Sequence, residues 1–128
     1  MLRKKIQLPH NKGNFSFLVN YRGALPQKRA LLVIRPLNES GKIEQDSICS
    51  LTWSKAANGF FAYNSGVSAP KTVVSRSFDI DFSTPFVEIE VLPWGTGGLD
   101  SKISDIALVN APTPHDAKYT TFVGEPID

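Results

Sequence analysis

Cysteine is nearly missing from this sequence: Cys49 stands alone among 128 residues, so no disulfide can close within the chain. The disulfide frameworks of small secreted domains are thereby excluded. Histidine is almost as scarce. His10 and His115 are the whole supply, each in a turn rich in proline or asparagine, and two imidazoles cannot build the several-histidine metal site that cupin-type enzymes place inside a barrel. Nor does the neighbouring pair His115-Asp116 make a hydrolytic triad, which needs a base touching a nucleophile and oriented by a separate acid. An excess of one charge is lacking too. The net charge is +2, and the basic residues are scattered apart from Arg3-Lys4-Lys5 and Lys28-Arg29, so no nucleic-acid partner is expected.

Long apolar runs are absent. The charged start, Met1 to His10, is not followed by the hydrophobic stretch of a signal peptide, and no segment is long enough to cross a bilayer. No membrane partner and cytoplasmic residence are the expectations. Helix-forming segments are equally short: Ser54 to Asn58, closed by Gly59, could make one turn and reads as a loop. No internal repeat suggests a propeller or solenoid. No cofactor is implied, and residues 1–128 read as a single domain that a longer polypeptide could also carry.

What the chain does have is alternation. From Thr72 to Trp94, Val74, Phe78, Ile80 and Phe82 fall on one side of an extended strand and Ser77, Asp79 and Asp81 on the other. After Ser83-Thr84-Pro85 the period resumes with Val87, Ile89 and Val91 opposed to Glu88 and Glu90. These are two half-buried strands. As a simple hairpin they would set Asp81 opposite Glu88 and Asp79 opposite Glu90, an unfavourable pairing of like charges. Three arrangements resolve the conflict: the strands lie in different sheets, as in a jelly roll or Greek key; a lysine or arginine from a third strand interleaves; or the four carboxylates hold a hard cation such as calcium.

The rest of the chain repeats the pattern. Lys5 to Leu8 reads as a short edge strand, Phe15 to Tyr21 as the first core strand, and the apolar run Ala30 to Ile34 as a central strand covered on both faces. Ser47 to Trp53, Phe60 to Tyr63, Lys102 to Val109 and Tyr119 to Val123 complete the set. About eight short strands separated by turn residues predict an all-β antiparallel sandwich, jelly-roll or Greek-key.

Little of this carries chemistry. Gly95-Thr96-Gly97-Gly98 lacks the lysine and hydroxyl of a phosphate loop and is followed by no helix. Cys49, with no base beside it in sequence, reads as a strand residue and not a nucleophile. The acids on an open sheet offer a glycosidase neither a cleft nor a raised acidity. No catalytic residue and no metal ligand are therefore assigned. The aromatic residues are left: tryptophan and tyrosine rings stack on the apolar faces of sugars while asparagine pairs with hydroxyls. Trp94, Trp53, Tyr63 and Asn58 are the candidate ligand-binding residues.

Over Phe78 to Leu108, the order of strand, acid-flanked strand, glycine-rich loop and returning strand resembles the C-terminal half of jelly-roll carbohydrate-binding modules. That resemblance implies a noncatalytic accessory β-sandwich that binds carbohydrate, such as accompanies a covalently linked glycosidase or glycosyltransferase. The other reading is a structural or protein-interaction domain that forms homo-oligomers through a strand edge or an aromatic patch.

Overall fold

The ten residues Lys12–Tyr21 show how this chain folds. Phe15, Phe17, Val19 and Tyr21 share one side of an extended backbone and are all buried, because alternate side chains of a strand leave on opposite faces. In a computed structural model that describes residues 3–23, 29–64, 69–94, 103–109 and 125–126, the same logic builds every element, and among those residues there is no helix. In chain order the strands are β1 (Arg3–Gln7), β2 (Lys12–Tyr21), β3 (Arg29–Pro36), β4 (Ile48–Cys49), β5 (Thr52–Ser54) and β6 (Gly59–Asn64). They continue with β7 (Lys71–Val74), β8 (Phe78–Asp81), β9 (Phe86–Trp94), β10 (Ile103–Val109) and β11 (Glu125–Pro126). No helix among the described residues is long and apolar enough to cross a membrane.

Two antiparallel sheets result. One has the order β11-β1-β9-β3-β6-β5, and the other runs β10-β2-β8-β4 with β7 also paired to β2. The pairings run β1 with β9, β2 with β7 and β8, and β3 with β6, while β4 pairs with β8 and β5 with β6. Most successive strands pass from one layer to the other, the exceptions being β5 to β6 and β7 to β8, which stay in one sheet. The expected all-β sandwich is what forms. Phe78, Ile80, Val87 and Ile89 are all buried, and ring contacts such as Phe17–Phe78 at 5.3 Å and Phe60–Phe82 at 6.2 Å fill the space between the layers. The apolar run of β3 is central as expected, flanked by β9 and β6.

The structure departs from the sequence reading in four places. Ser47 to Trp53 is two strands. Ser50 donates its N–H to the Asp79 carbonyl at 2.9 Å and accepts the Asp79 N–H on its hydroxyl, closing β4 onto β8; the chain then crosses so that β5 pairs with β6 in the other sheet. Val74 does not share a face with Phe78. The ladder breaks after it, Val73 packs on the core, and Val74 joins Leu18 and Val109 on the outer side of β2 and β10. The first strand begins at Arg3 and is flanked on both sides, by β9 and β11. The two-residue β11 falls in what reads as a polar tail, and the strand expected at Tyr119 to Val123 lies outside the described residues.

Candidate functional site

The acidic strands of the sequence are separated by the fold, and one of them is neutralised by a buried arginine. Asp79 and Asp81 belong to β8 in one sheet, Glu88 and Glu90 to β9 in the other, so the four carboxylates do not converge on one cation. Opposite Glu88 stands Arg35 of β3. Along β3 the residues Leu31, Val33 and Arg35 share the face turned away from the core, and register places Glu88 and Glu90 beside them.

The Arg35 guanidinium fills that gap. One Nη donates to Glu88 Oε1 at 2.7 Å and to Glu90 Oε1 at 2.6 Å, the other donates to the Ala57 carbonyl at 2.8 Å, and Nε donates to the Asn58 carbonyl at 3.0 Å. Its side chain is 8% exposed and that of Glu90 4%. A charge so far out of water survives only with full pairing, and here two carboxylates and two carbonyls supply it. The carbonyls come from the turn between β5 and β6, where Asn58 takes a left-handed φ of 54°, a conformation asparagine tolerates. Gly59 follows because the arginine stem lies over it: a Cβ there would stand 2.4 Å from Val33 Cγ1 and 2.9 Å from Arg35 Cγ. On the other flank of β9, β1 sets Lys5 opposite Glu88 and Arg3 opposite Glu90. With its carboxylates engaged in this way, the cluster is a structural clasp on the outer face of the sheet.

The four candidate ligand residues are dispersed. Trp53 stands in register with Phe60 and Ile34, its ring edge-on to Phe60 at 5.1 Å and packed against the core. Tyr63 has the opposite parity on the neighbouring strand and is 45% exposed on the outer face. Asn58 is exposed at the far end of β6, roughly 16 Å along the strand at about 3.3 Å per residue. Trp94 closes β9 opposite Arg29, and its side chain lies outside the described residues. Beside Tyr63 on the same face are the half-buried Leu31 and Leu92, joined to it by register.

For Glu88 and Glu90 the basic residue expected from a third strand is present, and it is Arg35, which the sequence alone does not single out. Its parity with Leu31 and Val33 is visible in the apolar run, but only the pairing of β3 with β9 sets it between the glutamates. Cys49 packs against the core from β4. Burial pushes its thiol up to about 11, with the Asp79 carboxylate adding to the effect and a hydrogen bond from the Leu51 backbone opposing it, so at neutral pH it is a protonated thiol, poor as a nucleophile. Among the described residues no three histidine, cysteine, aspartate or glutamate side chains are placed to hold a metal ion.

No family model, no curated protein and no solved structure matches this chain.

Proposed function

We propose that this β-sandwich is a noncatalytic accessory module that holds carbohydrate on the outer face of β9, β3 and β6. The observation that carries the reading is Tyr63. A large aromatic side chain 45% exposed beside Leu31 and Leu92 is a surface on which the apolar face of a sugar ring can stack. The rigid clasp of Arg35, Glu88 and Glu90 lies on the same face and fixes the strands that carry that surface. Trp53, turned inward, supports the architecture and not the ligand. Such a module would serve a polysaccharide-active enzyme by holding it on its substrate.

A glycan array tests this. Binding to a defined class of glycan is expected, and Tyr63→Ala should weaken it about tenfold or more while leaving the thermal transition in place. Trp53→Ala is expected to lower the thermal transition itself. A silent array, or a Tyr63→Ala protein that binds as the parent does, overturns the proposal.

The alternative, a protein-interaction domain, draws on a different feature: Ile48 is 68% exposed on the strand that ends the second sheet.

A further inference from the structure

Along the β4 side of the sandwich three open depressions join end to end. The first, about 440 Å³, lies among Asn38, Glu39, Glu44 and Ser83. The second, about 260 Å³, shares Glu44 and Ser83 with it and adds Asp46 and Ile48. The third, about 400 Å³, shares Ile48 and Asp81 with the second and runs on over Gly13 to Asp79. The whole is one shallow furrow, long and open, a shape suited to an extended chain and not to a compact small molecule.

Its charge runs against that of the molecule. The chain carries 14 basic and 12 acidic residues, yet Glu39, Glu44, Asp46, Asp79 and Asp81 line the furrow, and among the described residues Lys12 is the one basic side chain lining it. Lys12 lies 3.8 Å from Asp81, both side chains being largely in water. In the midst of these acids stands Ile48, the most exposed of the large apolar side chains among the described residues.

Among the described residues, no strand lies on the far side of β4. Among those residues the second sheet ends at β4, and Ser50 faces β8 through its bond to Asp79. In an antiparallel ladder successive residues turn their N–H and C=O to opposite sides, so Cys49 directs both away from β8. An unpaired strand edge with an exposed aliphatic residue is a template for a further strand.

We propose that this furrow is a docking site for an extended basic segment of another polypeptide, added as a strand beside β4, with an aliphatic residue against Ile48 and lysine or arginine toward Asp46 and Asp81. Backbone pairing at Cys49 supplies the register, and the acids select the charge. The site lies in the second sheet and does not depend on whether Tyr63 binds sugar.

Fluorescence anisotropy with short labelled peptides decides the matter. A peptide alternating lysine and valine is expected to bind, its glutamate–valine counterpart to give no signal, and a lysine–serine peptide of equal charge to bind about tenfold more weakly. Ile48→Ser, a change at an exposed position, should weaken the lysine–valine peptide by a similar factor. Asp46→Asn with Asp81→Asn should weaken it and flatten its salt dependence. The amide resonance of Cys49 is expected to shift on binding. Equal binding of the lysine–valine and lysine–serine peptides would reduce the site to bare charge attraction and sink the proposal. So would indifference to Ile48→Ser, or concentration-dependent self-association that Ile48→Ser abolishes, since the occupant would then be a second copy of the chain.

Discussion

Arg35 shows what one side chain does when strand register surrounds it with acids. Replacing it with methionine keeps most of the stem over Gly59 but leaves the buried Glu90 and the half-buried Glu88 without the guanidinium, and the Ala57 and Asn58 carbonyls without that donor. Breaking one partner out of a buried ion pair costs about 3–5 kcal/mol, and urea unfolding of Arg35→Met should show a loss of that order. A loss of well under about 1 kcal/mol, the value of an exposed pair, would mean the clasp is idle. Cys49 gives the pH-dependent counterpart. Its thiol is raised from 9.0 to about 11 in the folded chain, so between those values the native state keeps a proton that the unfolded state releases, and stability falls as pH rises through that window. At pH 8 the native thiol should be alkylated by iodoacetamide about 100-fold more slowly than in the unfolded chain, since two pKa units separate their thiolate fractions. Equal rates in buffer and in urea would contradict this.

At the scale of the element, the long edge of β2 is shared between β7 and β8, and the joint between them is held by a side chain. Ser75 is buried, donates its N–H to the Phe17 carbonyl at 2.9 Å and accepts the Phe17 N–H on its hydroxyl at 2.8 Å. The hydroxyl stands in for a backbone carbonyl, so the ladder continues across a break that turns Val74 outward and brings Phe78 in. Ser75→Ala strands a buried N–H, which costs about 1–3 kcal/mol. The Phe17 amide should then exchange with solvent markedly faster, and unchanged exchange would show that the hydroxyl is not its partner. This joint explains why alternation read straight through from Val74 to Phe82 misplaces Val74. The period of two is correct on each side, but a break at Ser75 resets its phase. The same reason divides Ser47 to Trp53: both halves are extended, and nothing in the local residues marks the crossing between sheets at Ser50 and Leu51.

Across the whole molecule, the strand pairing joins segments far apart in sequence. β1 meets β9 through Ile6 opposite Val87, and β2 meets β8 through Phe15 opposite Phe78. Lys4, on the core-facing side of β1, reaches across the layers to the Asp105 carboxylate and to the Ile106 carbonyl at 2.8 Å, tying the two sheets at one edge. Closing such long loops costs entropy early in folding, so refolding is expected on the order of milliseconds to seconds. Stopped-flow fluorescence of the tryptophans measures it, and a microsecond relaxation would be at odds with that pairing. The buried sides of β2, β8 and β9 and the sandwich class follow from residue spacing, because which face of a strand turns inward is a local property. The resolution of the acid conflict, the place of Arg35 between Glu88 and Glu90, the inward turn of Trp53 and the joining of Glu44, Ile48 and Asp81 into one furrow are decided by tertiary structure. Each depends on which strand lies beside which, and pairing is fixed by long-range closure that no stretch of neighbouring residues encodes.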